Sequence, residues 1–391
     1  MRVLVIHNFY RSENASGENL SVLDEIEGLR NRNWDVEVLS ADSDVITDGD
    51  VPLADLAIRP IYSRRSVRRV RESIRRFRPH VALVENLFPL HSPWVVKTLH
   101  EAQVPVAAGV RSYRMLCAKS TLYRDGAACR ACLTSRWNLP AIRHGCYQSS
   151  PIKTAPMALS LALHRSTFAS IDRYLAVSDY VRDELIDAGF DAERIVVRPN
   201  FVDDPGPPDS SPGDGFLFAG RLTEDKGVAP MLDGWVRSEV WRHQTLHVAG
   251  TGPLDELVRE HADRGVVPLG LVPHEQILDV VRTAAVTVVP STWPEPFGRG
   301  VIEAAARGRA SLVSNGGGVA SLVDDGVTGW TTEATPDGLA DGFRRAADLE
   351  AQRRFGDAAR RRFLERYTRD ASIGVLDREL SVLATSGVGH D

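Results

Sequence analysis

At 391 residues the chain is longer than one ordinary hydrophobic core serves, and two domains of about 200 residues are expected. A hydrophobic content of 43% and a charged content of 25% are those of a globular protein, and a net charge of -5 argues against general nucleic-acid binding. The cations are 43 arginines and only four lysines, Lys97, Lys119, Lys153 and Lys226, a bias that fits a GC-rich genome. Arginine runs are discounted for that reason, and a lysine at a suggestive position gains weight.

In chain order, RVLVIH (Arg2–His7) reads as a buried strand, then a polar loop with glycine, then a helix from about Glu18. The opening VLVI runs into His7 and Asn8, too short for a signal segment. DVEVLS, HVALVE and VPVAAGV continue the strands, and the alternation with amphipathic segments reads as α/β with parallel sheets. Asp42 and Asp44 mimic a metal-binding pair but sit in a polar turn after a strand. In SRRSVRRVRESIRRFR, Val67, Val70, Ile74 and Phe77 form one apolar stripe, with Arg64, Arg68, Arg71, Arg75 and Arg78 on another face. That helix, 63–78, is either a solvated arginine-rich face or a dock for anionic lipid headgroups. Cys117, Cys129, Cys132 and Cys146 fall within thirty residues and include one CxxC. A structural zinc site with all four as ligands, His144 standing by as a substitute, is weighed against reduced core thiols; disulfides do not suit the compartment. APMALSLAL (Ala155–Leu163) is well short of the ~20 residues that a membrane span needs. A cytoplasmic protein is expected, peripheral to the inner face of the membrane if the basic helix docks there.

FVDDPGPPDSSPGDG, from Phe201, has no apolar period and reads as a linker over 201–214. A second alternating series follows: GFLFAG and a helix after Lys226, QTLHVAG and a helix after Gly252, then VVPLG, AAVTVVP and another helix. Ligands of such sheets bind beyond the carboxyl ends of the strands. Four glycine-containing loops lie there, Asn8–Gly17, Gly220–Gly227, Gly250–Pro253 and Ser291–Gly298, and they suggest one ligand in a cleft between the two domains. Arg221 and Lys226, flanked by Gly220 and Gly227, put two cations beside a helix start, as a diphosphate would require. A helix opening near Gly298 leaves the amides of Gly298, Arg299 and Gly300 facing the same place. Glu295 stands before that turn, and Glu303 lies ~7–8 Å along the helix axis. The two carboxylates thus bracket an anion position, each able to accept hydroxyls from a flanking sugar. Glu303 could instead pair with Arg299 or Arg307, a surface contact of ~0.3–0.5 kcal/mol.

GRLTEDKG, GTGPL and PSTWPEPFGRGVIEA, in that order and spacing, resemble the nucleotide-sugar half of family 4 retaining glycosyltransferases. HNFYRSENASGEN and YRMLCAKSTLYRDGAACRAC are similar to a cysteine-containing branch of that family. The resemblance implies a GT-B fold: two Rossmann-like domains with a cleft between them and a C-terminal helix crossing back to the first. The expected division is 1–200 on the acceptor side with a cysteine insertion at 112–150, the linker 201–214, a donor domain 215–369, and the returning helix 370–391. By the same resemblance, Glu295 would bind the transferred sugar and Glu303 the ribose. Arg221 and Lys226 would hold the diphosphate with Gly17 and the amides after Phe297, and Gly250, Gly252, Val267 and Leu269 would line the nucleoside pocket.

The chain departs from the family pattern at three places. Arg111 and Glu85 occupy positions where the family commonly has histidine, and Ser16 precedes Gly17 where adjacent glycines are frequent. Arg111 would then read an unusual donor, mark a weakened catalyst, or simply pair with Glu85. The expectation is a retaining, metal-independent glycosyltransferase that takes a nucleotide-sugar as co-substrate. Its acceptor would be a glycan, a glycolipid or a small molecule, with cell-surface polysaccharide assembly as the leaning. A non-catalytic nucleotide-sugar-binding partner subunit, and a pseudo-glycosyltransferase that joins a cyclitol, are the alternatives.

Overall fold

The computed structural model describes residues 1–10, 17–47, 52–208 and 213–386. Most of the loop before Gly17, with Ser16, and residues 209–212 of the expected linker lie outside that range. The strands in chain order are β1 (Arg2–Phe9), β2 (Asp35–Asp42), β3 (Val81–Val84), β4 (Val106–Val110), β5 (Tyr123–Arg124), β6 (Ala127–Ala128), β7 (Arg173–Ala176) and β8 (Ile195–Val197), then β9 (Phe216–Ala219), β10 (Leu246–Ala249), β11 (Val266–Gly270), β12 (Val286–Val289), β13 (Ala310–Ser314) and β14 (Gly329–Thr332). Two six-stranded sheets result, ordered β2-β1-β3-β4-β7-β8 and β11-β10-β9-β12-β13-β14, and every pairing within them is parallel. The sequence reason is direct: β3 is VALV and β12 is VTVV, near-continuous apolar runs buried on both faces, as parallel strands under crossover helices must be.

The chain divides into two compact units. The first holds Met1–Leu122, Cys129–Arg198 and the chain from Ser372 onward; the second holds Tyr123–Ala128 and Pro199–Ala371. The β5–β6 hairpin is therefore counted with the second unit, a detail that the expected division lacks. The last helix, Arg369–Ser386, buries Ile373, Leu376 and Leu380, and it is tied into the first unit by Trp34 Nε1, which donates to Asp377 Oδ1 at 2.7 Å. In the second unit, Phe216, Trp235 and Phe343 meet edge to face with centroids 5.1–5.5 Å apart and anchor the helices to the sheet.

Both sheets reverse their winding, at β1/β3 in the first and at β9/β12 in the second. Such a switch point opens a crevice at the strand carboxyl ends. In the second unit the two loops at that crevice are the ones carrying Arg221–Lys226 and Ser291–Phe297.

Candidate functional site

The floor of the second-unit site is main chain. Gly220 N–H donates to Ala249 O at 2.9 Å, and Leu222 N–H donates to Thr251 O at 3.0 Å. A Cβ on Gly250, which has φ of 142°, would stand 1.8 Å from Gly220 O, so only glycine allows this approach. Gly227 closes the short Glu224–Lys226 turn with φ of 71°, and a Cβ there would come within 2.0 Å of Pro290 O. Thr292 N–H donates to Asp225 O at 3.0 Å and stitches the second loop to that turn.

The turn brings together two residues far apart in sequence. Lys226 Nζ lies 3.0 Å from Glu295 Oε1, and Ser291 Oγ donates to the other carboxylate oxygen at 2.5 Å. Both partners are mostly shielded, with side chains 20% and 15% exposed. Lys226 also lies 5.5 Å from the Trp293 ring centroid. Arg221 stays open, its side chain 72% exposed and 3.8 Å from Asp225.

Gly298 begins the helix Arg299–Ala306 with no side-chain cap, so its first amides keep their positive pole towards the same loop. Glu303 is buried on this helix and accepts from Arg299 Nε at 3.0 Å, while Arg307 lies 3.7 Å from Asp279. The pairing is thus with Arg299 rather than Arg307. Among the described residues, Trp293 Nε1, Thr223 Oγ1 and Arg299 Nη1 are buried without a hydrogen-bond partner. Thr223 and Trp293 lie in the two loops and Arg299 at the first position of the helix, so these atoms are open to a polar ligand. Gly252 N–H is held by Asp255 at 3.0 Å, and Val267 and Leu269 are each 38% exposed on the edge strand β11. Phe297 is buried against Tyr367. Gly317 was missed in the sequence: its φ is 77°, and a Cβ would lie 2.5 Å from Glu295 N. The run NGGG (Asn315–Gly318) carried that signal.

The remaining predicted residues belong to the first unit. Gly17 opens the helix Gly17–Asn31, with open space where a Cβ would be. Arg111, expected as a donor-reading group, a mark of a weakened catalyst or a partner of Glu85, lies in a buried charge cluster with its side chain 5% exposed. Arg111 Nη2 contacts both oxygens of Glu25 at 2.5 Å, and Arg111 Nε donates to Glu85 Oε2 at 3.1 Å. Arg198 Nη1 lies 2.5 Å from Glu25 from another side. Two carboxylates and two guanidiniums, all at most 5% exposed, neutralise one another. Gly109 makes the room: a Cβ there would be 2.2 Å from Glu85 Oε2. Glu25 and Arg198 had no local signal, because nothing in a single helix or strand end shows that they converge.

Burial raises the Glu85 carboxyl to about 7; Arg111 pulls it down, but the Glu25 charge adds to the rise. Glu25 is held below its ordinary value, the two guanidiniums outweighing burial. The folded state therefore grips the Glu85 proton more tightly than the unfolded state does. The stability this contributes is full below 4.5 and is lost as pH rises through about 7. Wild type is expected to lose on the order of 2 kcal/mol across that window relative to Glu85→Gln, read as the pH dependence of hydrogen-exchange protection in β1, β3 and β4. Parallel profiles for the two proteins would contradict it.

Asp42 Oδ1 accepts the Asp44 amide at 2.9 Å and starts a short helix, the polar turn that the sequence reads there. The four cysteines are half-buried and none is in a disulfide, and burial, then the neighbouring thiols, push Cys132 up to about 11. Among the described residues no group of three or more His, Cys, Asp or Glu is arranged to hold a metal ion.

Two doubly wound parallel-sheet units of these strand orders define a GT-B fold. Sucrose-phosphate synthase from Thermosynechococcus elongatus superposes with a TM-score of 0.70 over 98% of this chain and 99% of its own, at 17% identity. HepE of Anabaena, crystallised with UDP, gives 0.64 over 98% and 100%, also at 17% identity. In sequence, residues 16–200 match the glycosyl transferase 4-like domain and residues 213–348 match glycosyl transferases group 1. Between them the two matches take in most of the chain, which belongs to this glycosyltransferase family. The alpha-maltose-1-phosphate synthase of Mycolicibacterium smegmatis is 28% identical over 243 residues, 53% of this chain and 62% of that protein. The chain spans 41% to 62% of the length of the first curated relatives it matches.

Proposed function

We propose that the protein transfers a sugar from a nucleotide-sugar to an acceptor hydroxyl, with retention of anomeric configuration. The observation that carries this reading is the Lys226–Glu295 contact beside an uncapped helix start, at the switch point of the second sheet. Breaking the bond from the anomeric carbon to phosphate leaves a diphosphate and an oxocarbenium-like sugar. Lys226, Arg221 and the amides of Gly298–Gly300 supply the positive charge that the leaving group needs, so the chain's own groups suffice in this scheme. Glu295 serves the sugar and Glu303 the ribose, with Val267 and Leu269 beside the base. Retention follows when the departing phosphate takes the acceptor's proton on the face it leaves.

A glycan or glycolipid acceptor fits the kinship best. Membrane contact through the arginine-rich helix 63–78 has less support, since Arg68, Arg71 and Arg76 lie against Glu72, Glu101 and Glu37 at 3.7, 3.4 and 2.7 Å. A non-catalytic sugar-nucleotide binder is the second reading, favoured by the burial of Arg111 where the family commonly places histidine. Donor turnover without a partner separates the two.

Calorimetric titration with UDP, GDP, ADP and dTDP tests the site. UDP goes first, because HepE was crystallised with it. One nucleotide is expected to bind selectively, and Glu303→Ala to weaken it about 10- to 100-fold, the loss of a hydrogen bond to a charged group. No heat with any of the four would sink the assignment.

A further inference from the structure

The helix Pro151–Leu163 is apolar on both sides. It buries Met157, Ala158 and Leu161 in the first unit, yet Ile152, Leu159 and Leu163 are 84%, 37% and 46% exposed. At 100° per residue these three, with Pro156, fall on one narrow stripe opposite the buried face. Exposed Trp137 and Leu139, at 44% and 60%, extend the apolar surface at the start of the preceding helix. A water-facing helix in a globular unit should carry charge there; this one carries only Lys153.

The surrounding charge is one-sided. Between Asp125 and Asp172 the chain contains no aspartate or glutamate, in a protein with 52 of them. The same stretch holds Arg130, Arg136, Arg143, Lys153 and Arg165. Arg130 is neutralised by Glu184, and Arg165 is spent on the carbonyls of Cys132 and Ser135. Among the described residues no carboxylate partners Arg136, Arg143 or Lys153, all of them exposed. Arg136 instead lies over the Trp137 ring, 5.5 Å from its centroid. Exposed Ile and Leu beside Trp and unpaired cations match an anionic lipid interface, where apolar side chains enter the acyl boundary and cations meet headgroups. Among the described residues no helix is long and apolar enough to cross a membrane.

We propose that this face, Trp137, Leu139 and the outer stripe of Pro151–Leu163 rimmed by Arg136, Arg143 and Lys153, seats the protein on an anionic lipid surface. The arginine-rich helix, where Arg68, Arg71 and Arg76 are met by carboxylates and no apolar stripe is exposed beside them, is not the seat. The test is flotation of the full chain with vesicles of phosphatidylcholine alone or mixed equally with phosphatidylglycerol. Binding should be at least about tenfold stronger on the anionic vesicles. Ile152→Glu with Leu159→Glu, and separately Arg136→Gln, Arg143→Gln and Lys153→Gln together, should each weaken it about tenfold or more. Arg68→Gln with Arg75→Gln should change it less than twofold. Trp137→Ser gives an independent check should the paired glutamates disturb folding, and nucleotide titration of each variant reports separately on the donor site. Equal binding to neutral vesicles, binding untouched by these variants, or no vesicle binding with a dimer in its place would each overturn the proposal.

Discussion

Glu25→Ala is expected to destabilise the first unit by about 3–5 kcal/mol, the cost of breaking a buried ion pair from one side. Glu25 contacts Arg111 and Arg198, and its side chain is 2% exposed. Removing it strands two guanidiniums with only Glu85 between them, and neither can shed its charge. A cavity the size of the lost side chain adds to the cost. Because the chain has two units, a single unfolding midpoint is ambiguous. Hydrogen exchange localised to β1, β3 and β4 is the suitable readout: their protection should fall by several orders of magnitude, while β9, β12 and β13 stay protected. A first unit unchanged in exchange would mean that water reaches the cluster freely and that the charges are not mutually dependent.

Lys226→Ala should lower the rate of donor cleavage about 10²- to 10³-fold, the usual loss when one preorganised group facing developing negative charge is removed. Stability should barely change, since a partly exposed ion pair is worth about 0–1 kcal/mol. That contrast is what makes the experiment informative. Glu295, released from Lys226, remains held by Ser291, so the loop need not collapse. Lys226→Arg should recover part of the rate, because charge is kept while the geometry changes. Release of nucleoside diphosphate from whichever donor the titration selects, measured with the melting temperature, decides the matter. A loss below about threefold would make Lys226 a partner of Glu295 and nothing more.

The two αβ series were legible in the sequence because parallel strands advertise themselves: RVLVIH, HVALVE and FLFAG are apolar runs that end in polar or glycine-containing loops. The second-unit loops were legible for a related reason. Arg221, Lys226 and Glu295 are charged residues in the loops at strand ends, and Glu303 is a lone carboxylate on an otherwise apolar stretch of helix. The Arg111 cluster was illegible beyond the Glu85 pair, because Glu25 and Arg198 reach it from a helix and a distant strand end. The assignment of β5–β6 to the second unit could not be read either, since a two-residue strand leaves no period. The exposed stripe on Pro151–Leu163 was hidden by its own apolarity. APMALSLAL looks like any core helix until its burial is known.

The close backbone contacts at Gly220, Gly227, Gly250 and Gly317 have a practical consequence. A floor made of main chain does not depend on which side chains surround it, so the scaffold and the ligand-facing groups are separable for engineering. On the proposed reading, substitutions at Val267 or Leu269 change which base is accepted and leave the loop backbone in place, whereas even a methyl group on Gly250 would displace that backbone. A library aimed at new donors should therefore randomise the rim and freeze the glycines.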